Sequence, residues 1–242
     1  MRYIEPQIIV KNRFSNEEKP LFDVAVFIFR DKKSSDFIKE VLKCKEYSKK
    51  VLWGISAENT HIIEHSDKKV LIIEQLLWGG PQASILLEEL PQFGVKEVIG
   101  IGACGSIGNN IRKNDIVIDV CANCTDGTSK YYTKNANTKP SDRLLQHFRM
   151  LNLKEAFSST VDAIYQEQED IIQNFRINKS NIVNMESAPF YACSQYCSLD
   201  ALWIGCVSDT LYENEWDDWF DSEVATKKTA KIVKDYLENT IS

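Results

Sequence analysis

Apolar runs separated by polar and turn-forming residues recur along the chain and predict a series of buried strands. Runs of about four to eight apolar residues bounded by such turns are typical of strands covered on both faces. The first of them is Asp23–Phe29, with the sequence D-V-A-V-F-I-F. The further strands that the pattern predicts cover residues 51–56, 70–75, 95–103, 115–121, 157–161 and 201–207.

Segments between these strands repeat their apolar residues every three or four positions and therefore predict helices. A helix that begins at Ser34 would bury Phe37, Ile38 and Leu42 on one face. The other predicted helices run from Gly79-Gly80-Pro81 to near Pro91, over 141–151 with Ser141 as the cap, over 185–196 and over 222–237. This alternation predicts a single α/β domain over residues 1–242, in which residues 1–20 form an N-terminal arm.

Charge and composition narrow the class of partner. The 242 residues carry a formal net charge of −6 and a sequence pI near 5.3, so no basic surface indicates a nucleic-acid or anionic-membrane partner. Glu5 and Pro6 stand where a secretory signal would need an apolar run, and no segment is apolar enough to span a bilayer. We therefore expect a cytoplasmic protein that acts on a small molecule.

The chain contains seven cysteines, an odd number that cannot pair completely within one chain. Cys104, Cys193 and Cys206 fall inside apolar stretches, which favours reduced, buried thiols over a disulfide framework. Cys121 and Cys124 form a C-x-x-C pair, but the chain has only three histidines and no second pair of this kind. Ordinary packing is therefore favoured over zinc binding, and we expect no metal.

A glycine motif, Gly100-x-Gly102-x-x-Gly105, follows a predicted strand and matches the fingerprint of dinucleotide-binding proteins. That fingerprint opens a long helix, whereas here Asp115 already begins another strand, so we expect no nicotinamide or flavin cofactor. One interpretation makes the motif a ligand-site edge, where glycines let the backbone approach a small molecule. The alternative is that the glycines relieve crowding where strands cross.

The stretch Val98–Val117 resembles the central strand, loop and strand of the hexameric purine nucleoside and uridine phosphorylases. Other segments resemble that family in the same order along the chain: Trp78–Ile85 (a helix start), Asp126–Ser129 (a loop), Ser159–Tyr165 (the base pocket), Asn184–Ala188 (a methionine–glutamate signature) and Gly205–Thr210 (a serine–aspartate signature). The chain is identified as a divergent member of the nucleoside phosphorylase superfamily. The resemblance implies a central mixed, barrel-like β-sheet flanked by helices and cleavage of the bond between a base and the C1′ of its pentose, without a cofactor.

Met185 and Glu186 follow an apolar strand, where a carboxylate is unusual unless something pairs with it. A carboxylate accepts two hydrogen bonds at once, and the resemblance implies that Glu186 holds the 2′- and 3′-hydroxyls of ribose. Met185 would form an apolar wall beneath the sugar. The alternative is that Glu186 is a first-turn carboxylate favoured by the helix dipole.

Asp209 ends the apolar run W-I-G-C-V-S-D and is therefore expected at the carboxyl edge of the sheet, where α/β proteins bind ligands. The resemblance implies that its carboxyl group gives a proton to the departing base, which requires a pKa raised by partial burial. The alternative is that Asp209 caps the turn that follows it.

The base is expected to bind against aromatic, apolar and backbone groups. Ile164 and Tyr165 would stack on its ring, and Gln168 resembles the amide that reads uracil in uridine phosphorylases. Trp216 or Trp219 would cover the ring, unless these tryptophans anchor a solvated loop. The remaining base contacts that the resemblance implies are Ala103, Cys104 and Gly105.

The phosphate pocket departs from the family pattern. Gly100 and Ala103 occupy the positions of an arginine and a serine, and the first loop lacks the family's glycine–aspartate–proline sequence. Lys50 stands where the family takes a cation from a neighbouring subunit, so we expect a homo-oligomer, either a dimer or a hexamer. Surface solvation is the alternative explanation of the basic first loop. The residues expected to rebuild the anion site are Arg30, Lys33, Lys50 and Gly102.

Three functional classes are compatible with these residues. A phosphorylase would transfer the pentose to inorganic phosphate, a nucleosidase would transfer it to water, and a silent relative would only bind nucleosides. Known nucleosidases of the family place a glutamate after the first strand, whereas this loop is basic, which favours phosphorolysis. The expected partners are a nucleoside and inorganic phosphate. Purine and pyrimidine bases both stay open, since Ser222 replaces an arginine of the purine enzymes.

Overall fold

The structure is a computed structural model that describes residues 2–65, 68–76, 79–212, 215–217 and 222–240. The strands are β1 (Val24–Ile28), β2 (Lys45–Glu46), β3 (Thr60–His65), β4 (Lys68–Ile73), β5 (Glu97–Ser106), β6 (Ile116–Asn123), β7 (Asn137–Thr138), β8 (Lys154–Thr160), β9 (Ile182–Asn184), β10 (Asp200–Tyr212) and β11 (Glu215–Asp217). The helices are α1 (Pro6–Arg13), α2 (Lys32–Leu42), α3 (Gly80–Glu89), α4 (Asp142–Arg149), α5 (Glu169–Ile177), α6 (Ser187–Tyr196) and α7 (Glu223–Thr240).

The strands form one mixed sheet that closes on itself. β5 pairs in parallel with β10 and antiparallel with β9, and β10, β6, β8 and β9 follow one another to complete the circuit. β1, β4, β3 and β2 extend the sheet from β5. The predicted α/β domain with a mixed, barrel-like sheet is confirmed. Because β1, β4, β5 and β10 are linked by parallel pairings, their carboxyl ends share one edge of the sheet.

Helices cover both faces of the sheet and produce two hydrophobic cores. Successive side chains of β1 point to opposite faces, so that Phe27 enters one core and Ile28 the other. The first core is completed by α3 and α6, for example by Leu86 and Phe190. The second core is completed by α2, α4 and α7, for example by Ile38. Burial on both faces explains why β1 is apolar at every position.

The central glycines make room for Trp203, the largest fully buried side chain of the described residues. A Cβ atom would lie 2.5 Å from this indole ring at Gly102, 2.9 Å at Gly100 and 2.4 Å at Gly205. Such distances are too short for carbon atoms, so these positions exclude any side chain. Gly100 and Gly102 therefore relieve crowding around Trp203, as one of the two interpretations of the motif holds. A Cβ at Gly105 would instead approach the carboxylate of Asp209.

Two segments differ from their predicted structure. Residues 51–56 form turns instead of a strand, and Val51 and Leu52 enter the first core from there. Residues 1–20 contain α1, whose Val10 packs into the same core and whose Arg13 donates to the Val51 carbonyl at 2.6 Å. Short apolar runs do not distinguish a strand from a buried turn, and tertiary contacts decide between them.

Two helix starts differ from prediction because other side chains supply the caps, and a third helix lacks its predicted cap. α2 begins at Lys32 because the Asp31 carboxylate accepts the N–H of Ser34 at 3.0 Å. α6 begins at Ser187, two positions later than predicted, because the Asn184 amide oxygen accepts the Ser187 N–H at 3.2 Å. At the start of α4, Ser141 makes no capping hydrogen bond.

None of the described helices combines the length and the apolar character that a membrane crossing requires. The cysteines, all within the described ranges, are free: Cys44, Cys104, Cys121, Cys124, Cys193, Cys197 and Cys206. Cys104, Cys193 and Cys206 are buried, and the others are half-buried. Across the described residues, no group of three or more histidine, cysteine, aspartate or glutamate side chains is arranged to hold a metal ion.

Replacing Gly205 by alanine should destabilise the protein by about 2 kcal/mol, because the new methyl group would overlap the enclosed Trp203 ring. Urea denaturation measures the change. Gly127→Ala is the control and should change stability by less than about 0.5 kcal/mol, since its Cβ would meet only the end of the exposed Asp162 side chain, at 3.1 Å. Equal losses in the two variants would contradict the proposed overlap.

Candidate active site

A cavity of about 440 Å³ opens at the shared carboxyl edge of β1, β5 and β10, a size typical of small-ligand sites. The residues predicted from the sequence that line it are Ala103, Cys104, Gly105, Ile164, Tyr165, Met185, Glu186, Asp209 and Trp216. Ser106, Ile107, Val161, Asn184 and Ser208 also line it and fall within segments that resemble the family, whereas the lining residues that the sequence analysis missed are Phe29, Glu167, Val183 and Leu211.

Glu186 is the most enclosed carboxylate of this cavity, with 3% of its surface exposed. Its Oε1 accepts the backbone N–H of Gly79 at 3.3 Å, and it makes no capping bond to α6, although it stands at the residue before that helix. Burial raises the pKa of Glu186 to about 7, against the opposing effects of the Gly79 and Met185 amides and of the Arg30 charge. The Glu186 carboxylate therefore faces the cavity and does not cap the N-terminus of α6.

A buried hydrogen-bond network holds the turn that carries Glu186. Asn184 Oδ1 accepts the backbone N–H of Glu186 at 3.3 Å and that of Ser187 at 3.2 Å. Ser187 Oγ lies 2.9 Å from Ser158 Oγ, which donates to the fully buried Asp119 at 2.5 Å. Burial raises the pKa of Asp119 to about 6. In the sequence, Asp119 stands out as a carboxylate inside the apolar run I-V-I-D-V.

Asp209 lies in β10, near the carboxyl end of the pairing between β10 and β5. A bulge between Val207 and Asp209 shifts the register, so that Asp209 stands opposite Gly105. Ser208 Oγ donates to Asp209 Oδ1 at 2.7 Å, and Trp216 Nε1 donates to Oδ2 at 3.0 Å. A Cβ atom on Gly105 would approach Oδ2 to 3.0 Å, so a glycine leaves space for this carboxylate.

The base-binding predictions divide between the cavity and its surroundings. Tyr165 lines the mouth with 96% of its surface exposed, beside Ile164. Gln168 lies outside the cavity on the surface, where its amide contacts Gln166 at 3.5 Å. Glu167, one position earlier, lines the cavity instead. Two further predictions, Trp219 as a cover for the base and Trp78 as part of a helix start, fall outside the described residues.

The residues predicted to bind phosphate do not come together within one chain. Arg30 lies two residues beyond the end of β1 with 5% of its surface exposed, and its Nη1 donates to the carbonyl of Gly102 at 3.5 Å. Burial lowers the pKa of Arg30. Lys33 is exposed, with its ammonium 6.0 Å from the ring centre of Phe37, and Lys50 is exposed outside the cavity. Arg30 is thus the member of this set that lies close enough to act on Glu186.

Solved structures share the fold of the protein. A 5′-methylthioadenosine/S-adenosyl homocysteine nucleosidase from Campylobacter jejuni matches with a TM-score of 0.69 and 14% identity, over 90% of this chain and 97% of its own. A futalosine hydrolase mutant from Helicobacter pylori matches with a TM-score of 0.70 and 15% identity, over 90% of this chain and 100% of its own. At these identities the likeness establishes the fold alone.

Sequence relatives identify the family. A DeoD-type purine nucleoside phosphorylase from Buchnera aphidicola subsp. Schizaphis graminum is 30% identical over 162 residues, which are 62% of this chain and 67% of the relative. An uncharacterized protein of Acanthamoeba polyphaga mimivirus is 27% identical over 168 residues, 68% of this chain and 67% of the relative. The sequence profile of the phosphorylase superfamily matches residues 33–238. The chain belongs to this superfamily of nucleoside-cleaving enzymes.

Glu186→Gln should increase the free energy of unfolding relative to the wild type, and this increase should be larger at pH 8 than at pH 5. The folded-state pKa of Glu186 is raised to about 7, so its stabilising contribution is complete below the unfolded value and is lost as the pH rises through 7. Glutamine does not ionise. The free energy of unfolding of the variant minus that of the wild type should therefore grow by about 3 kcal/mol between pH 5 and pH 8. Urea denaturation at several pH values measures it.

The exposed Glu155 provides the control for this measurement. Glu155→Gln removes a carboxylate that pairs with Arg149 on the surface, and it should give the same small stability change at pH 5 and pH 8. A Glu186→Gln difference that does not vary with pH would mean that the wild-type carboxyl group titrates at its ordinary value.

Proposed function

We propose that the protein cleaves the N-glycosidic bond of a purine nucleoside by phosphorolysis, giving a free base and a pentose 1-phosphate. The observation that carries the proposal is that Glu186 and Asp209 line one cavity at the carboxyl edge of the sheet, with the buried Arg30 two residues beyond the end of the adjacent strand β1. These groups suit the sugar, the base and the phosphate, respectively.

Glu186 holds the sugar in this proposal. Its ionised carboxylate accepts hydrogen bonds from the 2′- and 3′-hydroxyls, and the donors lower its raised pKa when the nucleoside binds. Met185 lines the same cavity and packs against the ribose. The buried network behind the turn keeps the carboxylate directed at the sugar, since Asn184 binds the backbone on both sides of it.

Asp209 gives the proton that the leaving base needs. The hydrogen bonds from Ser208 and Trp216 orient its carboxyl group beside Gly105, where a base can approach the backbone closely. Purine is favoured over uracil because the Gln168 amide lies outside the cavity. The similarity to a purine nucleoside phosphorylase over 62% of the chain supports the same choice.

Arg30 binds the phosphate that attacks C1′. A guanidinium group pairs with two phosphate oxygens, and the resulting anion stabilises the positive charge that develops on the sugar. Asp31, the carboxylate of the same loop, is engaged by the N–H and the hydroxyl of Ser34, so it is not available to activate water. This commitment of Asp31 favours phosphate over water as the acceptor.

Hydrolysis is the second candidate. No lysine or arginine occurs among the described residues that line the cavity, and Lys33 and Lys50 lie outside it in the single chain. Phosphate binding therefore depends on Arg30, which follows the lining residue Phe29, and on any cation that a second subunit adds. We keep Lys50 in that role, as a contribution from a neighbouring copy in a homo-oligomer.

Asp209→Asn should reduce the rate of base release by roughly a hundredfold or more, because the amide keeps the shape but supplies no carboxyl proton. Glu186→Gln should mainly raise KM for the nucleoside. Asp142→Asn, in the exposed first turn of α4, is the control and should match the wild type. Steady-state assays on a nucleoside panel measure both constants, and small equal effects at Asp209 and Glu186 would place the chemistry elsewhere.

Base release should increase with phosphate concentration and produce a sugar 1-phosphate. Arg30→Met, which keeps the bulk of the side chain but removes its charge, should raise KM for phosphate by roughly tenfold or more. Arg149→Ala removes an exposed guanidinium group far along the chain, on α4, and should leave this constant unchanged. Free pentose formed at the same rate in phosphate-free buffer would instead establish the hydrolase.

A further inference from the structure

We infer that Asp119 is a positioning residue for the sugar site, because its carboxylate fixes the direction of a chain of buried hydrogen bonds that ends at the backbone N–H of Glu186. The inference rests on the proposed function, in which Glu186 holds the ribose, and it extends that site to a residue outside the cavity lining. Contacts within hydrogen-bond distance join the two residues without a gap, through Ser158, Ser187 and Asn184.

Both carboxylate oxygens of Asp119 are engaged at the start of this chain. The side chain is fully buried in β6, where Oδ1 accepts the backbone N–H of Cys121 at 3.2 Å and Oδ2 accepts Ser158 Oγ at 2.5 Å. Burial raises the pKa of Asp119 to about 6, against the hydrogen bonds from Ser158 and Ser187, so the carboxyl group is ionised at pH 8. An ionised carboxylate has no proton to give, so the Ser158 hydroxyl must donate to it.

This first bond fixes the direction of the next two, because a hydroxyl group has a single proton to donate. Ser158 gives its proton to Asp119, so a hydrogen bond to Ser187 Oγ, 2.9 Å from Ser158 Oγ, requires Ser187 as the donor. The Ser187 oxygen in turn accepts from Asn184 Nδ2 at 2.9 Å. In this arrangement Ser187 Oγ and Asn184 Oδ1, which lie 3.0 Å apart, share no proton.

The Asn184 amide oxygen is consequently reserved for the turn that carries Glu186. It accepts the N–H of Glu186 at 3.3 Å and that of Ser187 at 3.2 Å, together with Thr160 Oγ1 at 3.1 Å. The two backbone bonds are longer than the usual N–H···O distance, so another donor on the same oxygen would weaken them. Reversal of the chain supplies that donor, because Ser187 would then turn its proton to Asn184 Oδ1.

The position of this turn decides where the Glu186 carboxylate stands in the cavity. Its backbone is held by Asn184, and its Oε1 accepts the N–H of Gly79 at 3.3 Å. A carboxylate that must meet two ribose hydroxyls at once tolerates little displacement. A loosened turn should therefore weaken the binding of the sugar, whereas the proton donor Asp209 lies on another strand, β10, and keeps its own hydrogen bonds.

Asp119→Asn tests the direction of the chain at nearly constant size. The Cys121 N–H retains the amide oxygen of the new side chain, so its Nδ2 faces Ser158 and donates to it, which reverses the chain. At pH 8, KM for the nucleoside should rise by roughly tenfold while kcat stays unchanged, because a ground-state contact is weakened and the chemical step is not. A fall in kcat with an unchanged KM would overturn the inference.

Ser158→Ala breaks the chain at a second point, and three further measurements accompany it. The variant leaves Asn184 Oδ1 as the acceptor closest to Ser187 Oγ among the described contacts, so KM should again rise. Ser194→Ala is the matched control, since the buried Ser194 hydroxyl has no hydrogen-bond partner in the described part of the chain. Glu74→Gln is the control for Asp119→Asn, since it neutralises a carboxylate that is as deeply buried but lies outside the cavity lining. Both controls should keep the wild-type KM, and equal increases in all four variants would overturn the inference.

A double-mutant cycle determines whether Asp119 acts through Glu186. In a Glu186→Gln background the sugar contact is already lost, so Asp119→Asn should raise KM much less than it does in the wild type. Fully additive effects would mean that Asp119 influences nucleoside binding by another route, and they would contradict the inference.

Hydrogen exchange separates the inference from the proposed function, because it needs no activity. In Asp119→Asn, the backbone amides of Glu186 and Ser187 should lose roughly tenfold or more of their protection, whereas the amide of Ala25 in β1 should keep its wild-type rate. Unchanged protection at Glu186 and Ser187 in a protein that releases base would refute the inference alone. Lost protection in a protein that releases no base from any nucleoside would support the hydrogen-bond chain and refute the proposed function.

Discussion

The parallel pairing of β5 with β10 is the constraint on which the rest of the structure depends. It closes the sheet into a barrel and runs from Glu97 opposite Asp200 to Ser106 opposite Thr210. The pairing is possible because glycines on both strands leave space for the Trp203 ring. At its carboxyl end, a bulge in β10 turns the next carboxylate towards the cavity. Packing in the middle of the barrel and chemistry at its edge are therefore consequences of the same two strands.

Buried carboxyl groups distinguish the cavity from the remainder of the sheet. Burial raises the pKa values of Glu186 and Glu167, which line the cavity, to about 7 and that of Asp119, which is buried outside the lining, to about 6, so each ionised form is destabilised in the folded protein. Perturbed carboxyl groups that converge on one cleft are typical of active sites, because a proton donor near neutral pH needs such an environment. The hydrogen bonds of Asn184 and Ser187 join two of these groups through one turn.

Elements with strong local signals could be predicted from the sequence, and those without them could not. β1 is apolar at every position, and its strand was predicted to within one residue at either end. β3, with the sequence T-H-I-I-E-H, has only two adjacent apolar residues and gave no such signal. In the site, Glu186 follows the strand β9 and Asp209 follows an apolar run inside β10, and both were found from these apolar runs. Glu167 sits in a polar stretch, where nothing in the sequence separates it from the exposed Gln168.

The sequence by itself determined the order of the strands and helices, the family, and the two carboxylates that follow apolar runs, because each depends on residues close together in the chain. Only the tertiary structure decided that Gly102 packs beneath Trp203, that Glu167 instead of Gln168 reaches the cavity, and that Lys33 and Lys50 stay outside it. The reason is physical. Side-chain direction and pKa depend on burial and on neighbours far away in the chain, and no local pattern contains these.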